Sequence, residues 1–133
     1  MAVAFLAVGC GGGESVPKPV AVKSACALKN GSRVQVRGFL RLPTRISLTD
    51  RAVIDLFTRR GGTGDRTSVE LLLGTDPNQL ERLKSGFTPT SLRVRGHDGT
   101  VATLNDAVVV VAKVRRAGET CVLVDPTVTV VVK

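Results

Sequence analysis

The sequence predicts a mostly β fold with one short helix, and three observations carry that prediction. Residues 32–42 alternate between apolar and polar side chains, residues 107–114 are almost wholly apolar, and glycine or proline residues separate such segments. A period of two indicates a strand with one buried face, and a short apolar run between turns indicates a fully buried strand. The 133 residues suffice for one domain and a short tail.

The first long strand, residues 32–42, follows an Asn-Gly turn and ends before Pro43. Its inward face is apolar, and its outward face carries, in order, Arg33, Gln35, Arg37, Phe39 and Arg41. Gly38 interrupts the inward face, at a place where strands bend or bulge. Further strands are predicted, in chain order, at residues 51–58, 67–73, 92–96, 107–114, 120–124 and 127–132.

The strongest helix signal covers residues 76–86. Asp76 is a candidate N-cap, Pro77 fits the first helical position, and Gln79 stands where a capping box has its second polar residue. Two leucines supply an apolar stripe, and Gly86 is placed to end the helix. A helix of only about two turns depends on packing for its stability.

The order of the elements resembles that of the OB-fold: a long bent strand, two further strands, a short helix and then more strands. The resemblance is carried by residues 32–40, with Gly38 in mid-strand, and by residues 92–96 after the helix. It implies a five- to six-stranded OB-like barrel, with one short helix between the third and fourth strands, over residues 26–133. The competing interpretation is a plain β-sandwich.

The N-terminal segment resembles the processing site of a bacterial lipoprotein. Residues 6–10 place a small residue before Cys10 at the end of an uncharged apolar run. The resemblance implies that residues 1–9 are a signal peptide and that Cys10 carries the lipid, such as palmitate. The domain would then be anchored on the exported side of the membrane, in the cell envelope. No Lys or Arg precedes the run, so we expect the signal peptide to be truncated at its N-terminus. The alternative is a cytosolic protein with a chance cysteine.

Residues 10–25 combine three glycines with a Pro-Lys-Pro segment and show no periodicity, which predicts a flexible linker behind the lipidated Cys10. The lipoprotein interpretation leaves two cysteines, Cys26 and Cys121. Export to an oxidising compartment would allow these two residues to form a disulfide. The alternative is a pair of buried free thiols, which behave as small hydrophobic side chains.

The net charge of +8 permits an anionic partner. The outward face of the first strand and the strand after the helix form a candidate anion-binding face, composed of Arg33, Arg37, Phe39, Arg41, Arg93 and Arg95. Arg59, Arg60 and Arg66 of the glycine-rich hairpin loop are additions to it. The chain has four Phe and neither Trp nor Tyr, so few rings are available to stack on nucleic-acid bases. A solvated basic surface is the simpler interpretation.

Signals for catalysis, cofactors and metals are weak. His97 is the single histidine and falls in a predicted turn, and neither Gly-x-Ser-x-Gly nor Cys-x-x-Cys occurs. The loop at residues 61–64 lacks the Lys-Ser/Thr ending of a phosphate-binding loop. We therefore expect a non-enzymatic binding or adaptor module without cofactor or metal. The lipid on Cys10 would hold it to the membrane, and its partner would be an envelope protein or a glycan. The alternative function is arginine-mediated binding of nucleic acid or another polyanion.

Overall fold

Strands account for most of the regular structure in the computed structural model, which describes residues 17–46 and 49–131. The strands of this part of the chain are β1 (Pro19–Val20), β2 (Arg33–Arg41), β3 (Arg51–Arg59), β4 (Thr63–Leu73), β5 (Gln79–Leu80), β6 (Val94–Arg95), β7 (Val101–Ala102), β8 (Ala107–Ala117) and β9 (Thr120–Val130). Two short 3₁₀ helices, Val22–Ala27 and Pro89–Ser91, complete the described elements.

Five of the strands close into a barrel. β2 pairs with β3 and β8, β4 pairs with β3 and β9, and β8 pairs with β9. Every one of these pairs is antiparallel except β4 with β9, where Val69 lies opposite Leu123 in a parallel register. The fourth barrel strand, β8, therefore pairs with the first, β2. The fifth, β9, lies between β4 and β8. The predicted mostly β, OB-like barrel is confirmed.

Aliphatic side chains fill the barrel. The strands alternate as their sequences predict, and the largest fully buried side chains include Leu40, Ile54, Leu56, Leu71, Leu80, Leu92 and Leu123. Full burial of one such side chain contributes about 1.5–3 kcal/mol. Phe39 and Phe57 are half-buried and lie outside this core, so the core is packed without them.

The first 3₁₀ helix closes one end of the barrel. It packs against β2, β3, β4 and β8, and it buries Val22 and Ala25. Cys26 of this helix and Cys121 of β9 form a disulfide, with their Cα atoms 5.9 Å apart, so the predicted pairing of these cysteines is confirmed. β1 lies parallel to the first half of β2, with Pro19 opposite Gln35. These elements span residues 19–27, so residues 19–20 and 22–25 of the segment predicted as a flexible linker belong to regular structure packed on the barrel.

The prediction of a helix over residues 76–86 is wrong. Gln79 and Leu80 instead form β5, which pairs with β4 on one side and β6 on the other. Asn78 has a φ of 63°, a left-handed conformation that an α-helix does not contain. The sheet pairing buries Leu80 completely, whereas an isolated two-turn helix is marginal in water. The helical turn between the third and fourth barrel strands is the 3₁₀ helix Pro89–Ser91.

Cys10 and the predicted signal peptide, residues 1–9, lie outside the described residues. Within residues 17–46 and 49–131, no helix has the length and apolar character needed to cross a bilayer.

Candidate anion-binding face

Two phenylalanines lie side by side on the outer face of the barrel. Phe39 of β2 is directly opposite Phe57 of β3. Both rings point outward because their neighbours Leu40 and Leu56 are directed into the core. Gly38 permits the close approach of the strands, since a Cβ there would clash with the backbone oxygen of Phe57. Cross-strand aromatic pairs contribute about 0.2–1 kcal/mol, and the pairing of β2 with β3 places the two rings next to each other.

Three arginines surround the two rings. The guanidinium of Arg60 lies over the ring of Phe39, 5.8 Å from its centroid, which is a cation–π contact. Arg66 of β4 is directly opposite Phe57, and Arg37 is the neighbouring outward residue on β2. Within the described residues these three arginines form no ion pair, so their charges are available to a ligand. We name Arg37, Phe39, Phe57, Arg60 and Arg66 the Arg–Phe face.

Arg41 holds the β3–β4 turn against β2. Its guanidinium donates hydrogen bonds to the carbonyl oxygens of Gly61 and Gly62, each at 3.4 Å. Gly62 has a φ of 84°, and a Cβ there would collide with the side chain of Arg41. Because the same turn carries Arg60, we assign Arg41 a positioning role for the Arg–Phe face.

Two acidic residues lie beside the face: Asp106 lines a groove at Phe39, and Asp55 is directly opposite Arg41 in the β2–β3 pair. Burial raises the pKa of the Asp55 carboxyl above its ordinary value of 3.8, and the charges of Arg66 and Arg41 offset only part of that effect. The ionised carboxylate lowers the positive potential at this edge of the face, so it opposes the binding of an anion.

A groove adjoins each ring. The groove at Phe39 has a volume of about 430 Å³ and is also lined by Arg37 and Arg60. The groove at Phe57 has a volume of about 240 Å³ and is also lined by Arg66. A chain-like ligand that crosses both rings would therefore meet arginine side chains at each groove, together with the carboxyl group of Asp106 at the first and of Asp55 at the second.

Three of the six predicted residues lie elsewhere. Arg93 and Arg95 form ion pairs with Glu81, at 3.2 and 3.3 Å, so this carboxylate balances part of their charge. Arg33 lies near the opposite end of β2, where it faces Lys113 of β8. Its distance from Phe39 along the extended strand is about 20 Å. The structure therefore brings Arg37 and Phe39 together, with Arg41 holding the adjacent turn, whereas Glu81 engages Arg93 and Arg95 and Arg33 lies at the other end of β2.

Phe57 is the member of the face that the sequence pattern did not identify. Its outward position follows from the alternation of residues 51–58. Its position opposite Phe39 depends on the register of β2 and β3. A shift of one residue in that register would no longer place the two rings opposite each other. Arg60 and Arg66, which the sequence offers as additions from the hairpin loop, both lie on the face.

The Arg–Phe face supplies flat rings and planar cations. Guanidinium groups donate paired hydrogen bonds to phosphate or carboxylate groups, and phenylalanine rings stack on flat partners. Neither side chain is a nucleophile or a general base near neutral pH, so the face is suited to binding rather than to catalysis. Among the residues that the structure describes, no group of His, Cys, Asp and Glu side chains could hold a metal ion.

Comparison with known proteins adds no relative: no protein-family model matches the chain, and no curated protein matches it.

Proposed function

We propose that the protein is a lipid-anchored protein of the bacterial cell envelope whose barrel binds an anionic partner without catalysing a reaction. The observation that carries the proposal is the Phe39–Phe57 pair with arginines around it. OB-fold barrels commonly bind chain-like ligands, both oligonucleotides and oligosaccharides, on their outer strands. An acidic glycan offers rings for stacking and carboxylates for the arginines, and it is a polymer that an exported domain can reach.

Two features support the envelope location. The first is the pattern at residues 6–10, which resembles a lipoprotein processing site and would place the lipid on Cys10. The second is the disulfide between Cys26 and Cys121. Disulfides persist in oxidising compartments and are rare in the cytosol, so the pair fits an exported domain.

A binding titration tests the ligand. Fluorescence anisotropy would follow the full chain binding to labelled oligogalacturonate, an acidic glycan, with a labelled neutral dextran oligomer as the reference. We expect binding of the acidic oligomer alone, weakening as salt rises because the ionic contacts are screened. Phe57→Ala should weaken binding, whereas Val53→Ala, an exposed substitution on the same strand outside the face, should not. Absence of oligogalacturonate binding at low salt would contradict the proposed ligand.

Binding of single-stranded nucleic acid is the second candidate function, and the same pair of rings favours it. Stacking on an aromatic side chain contributes about 1–3 kcal/mol per base. The same anisotropy titration should therefore include a labelled single-stranded oligonucleotide. Tighter binding of the oligonucleotide than of oligogalacturonate, with loss of that preference in Phe39→Ala, would favour nucleic acid over the acidic glycan.

Metabolic labelling tests the lipid anchor. Cells that express the protein and receive a fatty-acid probe should label the wild-type chain but not Cys10→Ser. Cys26→Ser is the matched control and should keep the label, since it also replaces one cysteine. An unlabelled wild-type chain would contradict the anchor and would leave the ligand titration unaffected.

A further inference from the structure

Four exposed cations cluster where the N-terminal segment meets the barrel. Arg33 of β2 faces Lys113 of β8, and both side chains point outward because the neighbouring residues of both strands are buried. The backbone oxygen of Lys29 accepts a hydrogen bond from Ser32, next to Arg33. The backbone N–H of Arg116 donates to the side chain of Asn30, next to Lys29, at 3.0 Å. We name Lys29, Arg33, Lys113 and Arg116 the basic patch.

The part of the chain that the structure describes supplies no acidic partner to the basic patch. Within the described residues none of its four cations forms an ion pair. The carboxylate of Glu70 is already shared by Arg51 and Arg115, at 3.1 Å each. Like charges directly opposite each other destabilise a sheet, and no ion pair within residues 17–46 and 49–131 offsets the repulsion between Arg33 and Lys113. An external anion at the patch would remove that repulsion.

The course of the chain shows which anion lies within reach. Pro19 is opposite Gln35, two positions from Arg33 on β2. Eight residues lie between Cys10 and Pro19, and the nine Cα–Cα steps that join them span at most about 30 Å. A lipid on Cys10 would therefore keep the bilayer surface within about 30 Å of this part of β2. The partner that the anchor brings to the basic patch is the membrane itself.

We propose that the basic patch docks the barrel on anionic lipid headgroups of the membrane that holds the lipid on Cys10. This inference rests on the proposed lipid anchor. Ammonium and guanidinium groups form short, charge-assisted hydrogen bonds with phosphate oxygens. Each cation near an anionic bilayer strengthens binding about fivefold. Docking at this end of β2 places the Arg–Phe face about 20 Å along the strand from the patch, where it can contact a ligand in the envelope.

Vesicle sedimentation of the full chain carrying Cys10→Ser tests the proposal without the lipid. The two vesicle types are pure phosphatidylcholine and an equal mixture of phosphatidylglycerol and phosphatidylcholine. Because any apolar contribution of the N-terminal run is common to both, the difference between them reports headgroup charge. We expect stronger binding to the anionic vesicles, reduced on the order of 100-fold by Lys29→Gln, Arg33→Gln and Lys113→Gln together.

The matched control replaces three exposed cations outside the basic patch: Arg45→Gln, Arg82→Gln and Lys84→Gln. It changes the net charge by the same amount and should keep most of the binding to anionic vesicles. Equal losses in the two triple variants, or no loss in either, would overturn the proposal. The substituted residues are all exposed, and thermal unfolding of each variant verifies that the barrel is folded.

Two further outcomes separate this inference from the proposed function. If the patch variant loses oligogalacturonate binding as strongly as vesicle binding, the patch is a glycan site and the lipid assignment is overturned. If fatty-acid labelling fails while the Cys10→Ser chain still prefers anionic vesicles through the basic patch, the lipid anchor is wrong and headgroup recognition stands.

Discussion

The guanidinium of Arg60 lies 5.8 Å from the centroid of the Phe39 ring, although Arg60 belongs to the β3–β4 turn and Phe39 to β2. The contact exists because Arg41 holds that turn against β2 through the carbonyl oxygens of Gly61 and Gly62. The barrel therefore fixes the position of the Arg60 guanidinium, although the backbone of Arg60 lies in a turn.

Arg60→Gln should weaken binding of the acidic glycan. The substitution removes one cation from the Arg–Phe face, so we expect lower affinity and a salt dependence reduced by about one ionic contact. Anisotropy titrations at two salt concentrations measure both effects. Arg82→Gln, an exposed arginine in another part of the chain, is the matched control. If the two variants lose affinity equally, net charge rather than position governs the binding.

Asp55→Asn should stabilise the protein at neutral pH. Burial raises the pKa of Asp55, so the native state binds this proton more tightly than the unfolded chain does. Stability is therefore lost as the pH rises from 3.8 through the raised pKa, and it is regained on acidification.

Thermal unfolding should show a higher Tm for Asp55→Asn at neutral pH and the same Tm as wild type well below pH 3.8. Asp65→Asn, which changes an exposed carboxylate of the same hairpin, is the control. A lower Tm for Asp55→Asn at neutral pH would show that the attraction of Arg41 and Arg66 outweighs the effect of burial.

Gly62→Ala should destabilise the fold more than Gly61→Ala. Both glycines have φ near 85°, so alanine is strained at either position, at about 1 kcal/mol or more. Only at Gly62 does the added Cβ collide with the side chain of Arg41, whereas the space beside Gly61 is open. Denaturant unfolding measures the free energies of the two variants, and equal losses would contradict the role assigned to Arg41.

Reduction of the disulfide should lower the free energy of unfolding by about 2–5 kcal/mol. The bond links residues 95 positions apart, so its loss releases a long loop in the unfolded chain. Denaturant curves with and without reductant measure the change, and Cys10→Ser should respond like the wild type. Alkylation of the denatured, unreduced Cys10→Ser chain should modify no cysteine, so modification of Cys26 and Cys121 would refute the pairing.

Local patterns located the five barrel strands but not all of their bounds. The single strand β9, Thr120–Val130, stands where two strands were predicted at residues 120–124 and 127–132, and β4 begins at Thr63 within the predicted hairpin loop. The strand predicted at residues 92–96 is the short β6, and the fourth barrel strand is β8.

The period of two over residues 32–42 identified β2 and its outward residues, because burial on one side of a strand selects alternate positions. The same patterns failed at residues 76–86, where local capping signals favoured a helix. Pairing of Leu80 between β4 and β6 buries that side chain completely, and the segment adopts the conformation that the sheet requires.

The amino-acid order was enough to predict a β-barrel, the outward direction of Arg37 and Phe39, and a pairing of Cys26 with Cys121. Tertiary structure alone decided which side chains meet. The register of β2 with β3 places Phe57 opposite Phe39, and the register of β2 with β8 places Lys113 opposite Arg33. These neighbours are distant in the chain, and a shift of one residue would turn each side chain to the other face of its strand. The Arg–Phe face and the basic patch therefore exist only in the folded barrel.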